Sequence, residues 1–358
     1  MATEVTQSGP RIAEPYLLSY LLPPLVVFCL LQRGWWTFVP VVVMLIVLPL
    51  IDAAAGNEDH WPVSPELDRN KWFRFLTWFW AAMQLLLMLF VMRVVHTGLL
   101  TRFELVGATL SLGLTTGVVG IAVAHELIHC RDSLERLLGY VLLGAVSYSH
   151  FAITHVHWHH VWVGTPRDPS TARAGESFYR FLPRTVVGNL RVGWAVERER
   201  LRGARLISPA NRMLRFPVAQ AAIYAVLLTW IGPDGAAVFA GQALVAILVL
   251  EATNYMEHYG LERRQLGDGR YERVDAYHSW DSTSRVSSRL LFNLPRHADH
   301  HCVVAKRYQS LVLLPRAPRL PAGYGAMFLL ALVPPAWFSV MNPRVKKAAR
   351  FTTPPVIY

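Results

Sequence analysis

Apolar residues in this chain run in unbroken blocks instead of alternating with polar ones. A helix needs about 20 apolar residues to cross a bilayer. Lipid offers no partner to an unpaired backbone group, so such blocks must be helical. The pattern predicts an all-α integral membrane protein with six transmembrane helices, at residues 16–31, 37–55, 73–95, 104–124, 216–231 and 236–255.

Short loops and prolines refine this prediction. The loops RGWW and GPDG join the first and the last pair of helices and indicate two helical hairpins. Pro23 and Pro24 predict a kink in the first helix. A seventh apolar run, 323–341, is interrupted by Pro334 and Pro335, which favours a re-entrant or interfacial segment over a full crossing. Because no internal repeat stands out, we expect residues 1–358 to form one membrane domain.

The charge distribution predicts the orientation. The net charge is +11, and 28 of the 35 lysines and arginines lie within 131–215 and 258–358. A basic excess is typical of binding to nucleic acid or to a membrane surface, and the apolar runs favour the membrane. The positive-inside rule then predicts that both basic stretches and both termini are cytoplasmic. We expect neither a nucleic-acid partner nor a cleaved signal peptide.

Histidines form the main candidate for chemistry. Twelve of the 14 lie between residues 125 and 301, where the predicted helices end or beyond them. They form the clusters HELIH, HVHWHH and HADHH, with a further histidine in NYMEHYG. Residues four apart share one face of a helix. The pairs that could each chelate one ion are therefore His125/His129, His155/His159 and His297/His301, and His300 lies three residues from His297.

Adjacent histidines suggest a second ion. The members of a doublet such as His159–His160 point in different directions on a helix, so one could serve one ion and its neighbour another. Imidazole ligands without cysteine suit iron, while zinc and copper stay open on ligand type alone. A solvated surface patch would explain one such cluster, but not three at matched spacings. We expect non-ligand roles for His60, His96, His150, His157 and His278.

Acidic residues beside the histidines are expected to support them. Metal-bound histidine usually donates its second ring N–H to a carboxylate or a carbonyl. The candidates for this orienting role are Glu126, Glu257, Asp281 and Asp299. A bridging carboxylate is less favoured, because a residue adjacent to a ligand on a helix faces away from it. Glu251, inside the sixth apolar block, is either functional or hydrogen-bonded to another helix.

Together these motifs resemble the integral-membrane alkane monooxygenases of the AlkB type and the related hydroxylases of xylene and cymene methyl groups. HELIHCRD, the segment from THVHWHH to SFYRF, NYMEHYG, HSWDS and LPRHADHH carry the resemblance. It implies a non-haem enzyme of the bacterial inner membrane that binds two Fe ions and uses O2 to hydroxylate a C–H bond. The implied ligands are His125, His129, His155, His159, His160, His258, His297, His300 and His301.

The resemblance also implies partners. The substrate is expected to be an apolar hydrocarbon that enters from membrane lipid. Electrons are expected from a separate rubredoxin, or from a ferredoxin-type donor, with an NAD(P)H-dependent reductase. The three cysteines form no CxxC pair, so the chain carries no iron–sulfur or rubredoxin site of its own.

The second cluster departs from the family pattern. Thr154 stands where the family usually has glutamate, and Trp158 stands where it has a small glycine. This departure suggests that His157 and Trp158 set the substrate preference. Whether the substrate is an alkane or an aromatic methyl group stays open. A desaturase, an intramembrane zinc protease built on HELIH and a membrane metal carrier are the other interpretations, each less favoured.

Overall fold

The computed structural model of the protein describes residues 13–59, 67, 70–202 and 205–352, with side chains as far as Ala349. Within these residues the chain is helical, and its β contacts are isolated bridges. The helices are, in chain order, α1 (Glu14–Gln32), α2 (Gly34–Ala55), α3 (Lys71–His96), α4 (Arg102–Ile128), α5 (Ser133–Ala145), α6 (151–162), α7 (Phe178–Arg200), α8 (Arg212–Trp230), α9 (Pro233–His258), α10 (Arg285–Leu290), α11 (His297–Cys302), α12 (Tyr324–Ala331) and α13 (Pro334–Thr352).

The six predicted membrane helices are confirmed. Helices α1 to α4, α8 and α9 are long and apolar enough to cross a membrane, and each contains one predicted block. The block at 216–231 overruns the end of α8 by one residue. Most of the helices extend beyond the predicted block by one to four residues at one or both ends. The first helix changes from 3₁₀ to α geometry at Leu22, immediately before Pro23. This is the position where the two prolines predict an irregularity.

The seventh apolar run does not form a straight crossing. Its two halves, α12 and α13, meet at an angle of 120°. The break falls just before Pro334 and Pro335, because proline cannot continue a preceding helix. The bend leaves α12 packed against α9, and Tyr324 at the start of α12 is buried next to the last turn of α9.

Helices α4 and α9 pack closely along small residues. A Cβ atom built on Gly117 would lie 2.8 Å from the Cα atom of Ala246, and one built on Gly113 would lie 2.8 Å from the carbonyl oxygen of Gln242. Small residues let helix backbones approach in this way when lipid supplies no hydrophobic drive. Both helices end in histidines, so this contact sets the relative positions of two groups of candidate ligands.

Two buried acids connect elements of the fold. Glu251 on α9 accepts hydrogen bonds from Tyr148 (2.6 Å), Thr185 (3.1 Å) and Asn254 (3.1 Å). Of the two interpretations from the sequence, the hydrogen bond to another helix is therefore correct. The second acid is Glu197, near the end of α7, which is also buried.

Glu197 joins α7 to the start of α8. Its carboxylate accepts from Arg200 at 2.8 Å and from the Nε atom of Arg212 at 2.8 Å. Burial raises the pKa of this carboxyl, but the hydrogen bonds from Arg200 and Arg212 outweigh that effect and lower the pKa to about 2. The carboxylate is therefore charged and paired at neutral pH.

Candidate metal centre

Four separate elements bring the predicted ligands to one place. Helix α4 carries His125 and is followed directly by His129, α9 ends at His258, and α6 and α11 carry three each of the other six. Eight of the nine side chains are buried, and His129 is half-buried. The nine rings form two groups, and within each group one nitrogen of every ring lies within 4.8 Å of the others.

The first group contains five histidines, His125, His129, His155, His160 and His300. The Nε2 atom of His155 lies 2.7 Å from that of His125 and 3.0 Å from that of His160. The Nε2 atom of His160 also lies 3.2 Å from those of His129 and His300. The five ring nitrogens therefore converge on one small volume.

The second group contains four histidines, His159, His258, His297 and His301. The Nε2 atom of His297 lies 3.2 Å from that of His258 and 3.0 Å from that of His301. The ring of His159 packs 4.8 Å from the ring of His258, measured between centroids. The two groups are neighbours, since the rings of His160 and His301 stack at 4.4 Å.

The structure corrects one pairing predicted from spacing. His155 shares its group with His160, five residues on, and not with His159. The reason is local: residues His155–His159 form a π-helix inside α6, in which i and i+5 replace i and i+4 as neighbours on one face. The other two pairs, His125/His129 and His297/His301, lie together as predicted. The doublets at 159–160 and 300–301 divide between the groups, also as predicted.

The donor set fits metal ions. Burial, with the neighbouring His159, lowers the pKa of His129 to about 3, and burial holds the pKa values of His155, His160 and His301 well below the usual range. These four rings are therefore neutral and offer lone pairs. Facing Nε2 lone pairs at 2.7–3.2 Å repel one another unless a proton or a cation lies between them. The buried Nε2 atom of His159 has no hydrogen-bond partner within the part of the chain that the structure describes. A metal ion in each group would satisfy these atoms.

Two of the candidate ligands are oriented through their second nitrogen. The Nδ1 atom of His159 lies 2.8 Å from the Oδ2 atom of Asp168, which is itself 2 % exposed. The Nδ1 atom of His258 faces the carbonyl oxygen of His278 at 3.4 Å. Sequence reasoning missed Asp168, because it lies in the turn RDPST and has no helical spacing to its histidine. Its only signal is an Asx-type turn, which is common in loops.

The four acids predicted as orienting residues have other contacts. Glu126 pairs with the Nε atom of Arg307 (2.8 Å) and accepts from the amide of Tyr308. Arg307 also binds Glu135, so this network joins the first and third cluster segments. Asp299 accepts from Lys306 (2.6 Å) and from the amide of Val312.

The other two acids lie nearer the centre. Asp281 accepts from the amide of Ala298 at 2.8 Å, which fixes the first turn of α11. Glu257 is nearest of all, because its Oε2 atom lies 3.2 Å from the Nε2 atom of His297, on the side where the ligand atoms converge.

An apolar cavity ends on the two groups. Its α4 wall follows one helical face, at positions 114, 117, 118, 121, 122 and 125, and leads to His125. Helices α2, α9, α10 and α12 supply the other walls, with side chains such as Leu48, Val249 and Phe328. His155, His297 and Glu257 complete the end at the histidines. The cavity therefore runs between membrane helices to both groups.

The remaining histidines are not part of either group among the residues that the structure describes. His278 lies within 3.2 Å of Glu272 and acts on the centre only through its backbone carbonyl. His157 is exposed. Trp158 donates to the carbonyl oxygen of Arg167 (3.0 Å) and does not line the cavity, so its predicted effect on substrate preference finds no support. His60 lies outside the described residues.

Comparisons with known proteins add to this geometry. The fatty acid desaturase family matches residues 101–332. An alkane 1-monooxygenase 2 of Pseudomonas aeruginosa is 38% identical, over 87% of this chain and 84% of that protein. One of Alcanivorax borkumensis is 43% identical over 67% of this chain and 64% of that protein. The hydroxylase component of a xylene/toluene monooxygenase of Pseudomonas putida is 28% identical, over 70% and 68% of the two chains.

Proposed function

The chain belongs to the fatty acid desaturase family and, within it, to the alkane 1-monooxygenases, and from this premise we propose that it is a di-iron enzyme that hydroxylates the terminal methyl group of an apolar hydrocarbon. One observation carries the proposal: an apolar cavity between membrane helices ends on two groups of histidines, eight of the nine buried. The higher identity to alkane enzymes than to the xylene/toluene enzyme favours an aliphatic substrate.

The two histidine groups are the proposed metal sites. The five histidines of the first group would hold one iron, and the four of the second group would hold the other. Bound iron would supply the activation of O2 and the cleavage of an unactivated C–H bond, chemistry that no side chain provides. The members of the two groups are histidines, a donor set that suits iron.

The protein's own part is to orient the substrate and exclude water. The cavity face of α4 runs from Leu114 to His125, eleven residues, or roughly 16 Å at the rise of an α-helix. An extended alkyl chain of medium length fits such a path with one end at the histidines. Apolar walls bind the chain without fixing it along its length, so contact at the far end determines which carbon reaches the centre. Burial of the end at the histidines keeps bulk water from the reaction.

We further propose that electrons come from a separate redox protein, either a rubredoxin or a ferredoxin-type donor served by an NAD(P)H-dependent reductase. The chain is strongly basic, and an acidic carrier would approach such a surface by electrostatic steering. The same basic bias supports the proposal that the histidines and both termini face the cytoplasm of a bacterial inner membrane.

The test combines metal analysis with turnover. Protein purified in lipid nanodiscs is expected to contain two irons per chain and, with a reductase and rubredoxin, to consume O2 when a medium-chain alkane is added. His297→Ala should abolish turnover and lower the iron content, while the exposed His157→Ala serves as the matched control. Full turnover of His297→Ala, or one zinc in place of iron, would reject the proposal.

Product analysis separates the nearest alternatives. Terminal alcohols from alkanes are expected. An alkene product would indicate a desaturase, and benzylic alcohols from toluene, xylene or cymene without activity on alkanes would indicate an aromatic methyl hydroxylase. Mass spectrometry of the products decides among the three.

A further inference from the structure

Glu257 is a buried carboxylate that points toward the histidine groups. It lies in the last turn of α9, directly before His258, and is 2 % exposed. Adjacent positions on a helix do face apart, so the side chain does not follow that of His258. Helix α11 instead brings His297 to it, and the Oε2 atom of Glu257 lies 3.2 Å from the Nε2 atom of His297.

The other carboxylate oxygen is held in place by a tyrosine. Tyr324, at the start of α12, donates its hydroxyl hydrogen to the Oε1 atom of Glu257 at 2.8 Å. Tyr324 is itself buried, and the sharp bend between α12 and α13 accompanies its position there. This bond fixes the orientation of the carboxylate and leaves its Oε2 atom directed at the ring nitrogen of His297.

The two histidine groups differ in size, and Glu257 lies beside the smaller one. The first group has five ring nitrogens and the second has four. We propose that Glu257 supplies the fifth donor of the second group, through its Oε2 atom. This inference rests on the proposed di-iron function and adds to it a ligand that is not a histidine.

Lone-pair geometry supports this assignment. The Nε2 atom of His297 is also 3.2 Å from that of His258 and 3.0 Å from that of His301, so several acceptor atoms meet on the same side as the Oε2 atom of Glu257. One proton on the His297 ring could satisfy only one of these contacts. A cation among them satisfies all of them.

Charge supports it as well. Neutral imidazoles leave the full charge of a metal ion in a buried, apolar region, where uncompensated charge is costly. Asp168 already lies behind His159 in the second group. Glu257 would add a second negative charge to the same group, and the two metal sites would differ in charge as well as in ligand number.

The matched control is another glutamate of the same helix. Glu251 lies six residues before Glu257 and is also buried, but Tyr148, Thr185 and Asn254 hydrogen-bond its carboxylate away from the histidines. Glutamine at either position keeps the size of the side chain and an acceptor for its tyrosine partner. The comparison therefore isolates the effect of a carboxylate that faces the metal groups.

The experiment uses the full chain loaded with ⁵⁷Fe in nanodiscs. Mössbauer spectra of the wild type should show two unequal iron signals of equal area. In Glu257→Gln, one signal should change its isomer shift and quadrupole splitting, and that iron should be lost to a chelator about 10–100-fold more readily. Glu251→Gln should match the wild type. Glu257→Asp should restore part of the affinity, because it restores the carboxylate.

The outcomes separate this inference from the proposed function. If the wild type holds two irons and Glu257→Gln leaves both signals and both affinities unchanged, Glu257 is not a ligand and the inference is wrong. If the wild type holds no iron, the di-iron proposal fails, and this inference fails with it. Should Glu257→Gln not fold, Tyr324→Phe tests the same point, since freeing the Oε1 atom should alter one iron signal and leave the other as it was.

Discussion

Replacing Asp168 with asparagine should weaken the binding of one iron and leave the other unchanged. Asp168 is buried, and its Oδ2 atom lies 2.8 Å from the Nδ1 atom of His159 and accepts from the hydroxyl of Thr171 at 2.7 Å. Burial raises the pKa of Asp168, but the adjacent His159 and the bond from Thr171 outweigh it, so the pKa lies below the ordinary value. The group is therefore a carboxylate at neutral pH. Asparagine keeps the shape and an acceptor oxygen but removes the charge.

The expected magnitude follows from that difference. A hydrogen bond to a charged group contributes about 1.5–3 kcal/mol, and one between neutral groups about 0.5–1.5 kcal/mol. The loss of about 1–2 kcal/mol corresponds to a roughly 5–30-fold weaker binding of the second-group iron. Asp168→Ala should cost more, because it leaves the ring nitrogen of His159 without an acceptor in a buried site.

The assay is competition between the reloaded apoenzyme and an iron chelator, with the two irons resolved by their rates of loss. The control is Asp299→Asn. Asp299 is equally buried and adjacent to a proposed ligand, but the contacts of its Oδ2 atom are Lys306 and an amide. The reasoning would be refuted if Asp168→Asn bound both irons with the affinities of the wild type, or if Asp299→Asn showed the same selective loss.

Three further predictions concern substrate, stability and pH. Trp158→Gly should leave the substrate profile unchanged, because this side chain lies outside the cavity. Leu114→Phe, at a cavity-lining position, should reduce the oxidation of long alkanes more than that of short ones. Gas chromatography of the alcohols formed from an alkane series compares the two variants. Arg307→Ala removes the cation shared by the buried carboxylates of Glu126 and Glu135 and should lower the free energy of unfolding by about 3–5 kcal/mol. Arg307→Lys should recover part of this loss, and thermal unfolding in detergent measures both. Glu197→Gln should lower the melting temperature at pH 7. Because the folded pKa of Glu197 is depressed to about 2, its stabilisation is present above the usual value of 4.5, and the difference from wild type should narrow as pH falls from 4.5 toward 2.

The membrane helices could be predicted from sequence because one strong physical term determines them. Lipid requires long apolar runs with internally paired backbones, and hydropathy detects such runs directly. The histidine pairs 125/129 and 297/301 were predictable for a similar reason, since i and i+4 are neighbours in any regular α-helix. The pair 155/159 failed because α6 contains a π-helical turn, and nothing in the letters HVHWHH signals the extra residue in that turn.

Residues that act through tertiary contact could not be predicted. Asp168 reaches His159 from a loop, so it has no spacing that a sequence pattern could reveal. Glu257 was a candidate because it precedes His258, but its contact with His297, on a different helix, has no such spacing either. The orienting role of Glu126 and Asp299 stays a prediction, and the contacts described for them are of another kind. Their proximity to histidines in the sequence suggested that role, whereas in the folded chain Glu126 pairs with Arg307 and Asp299 pairs with Lys306.

The division of ligands between the two groups also explains why the sequence clusters cannot be equated with metal sites. The first group draws on α4, α6 and α11, and the second draws on α6, α9 and α11, so each ion would hold three helices together. The close contact of α4 with α9 then fixes one group relative to the other, because His125 and His258 end these two helices on the same side. Among the described contacts of the nine histidine rings, carboxylates lie beside the second group, at Asp168 and Glu257. The α4 face of the cavity leads to His125 of the first group. Two bound ions would therefore be unequal before any substrate binds, because the carboxylates Asp168 and Glu257 lie beside one group and the α4 wall of the cavity leads to the other.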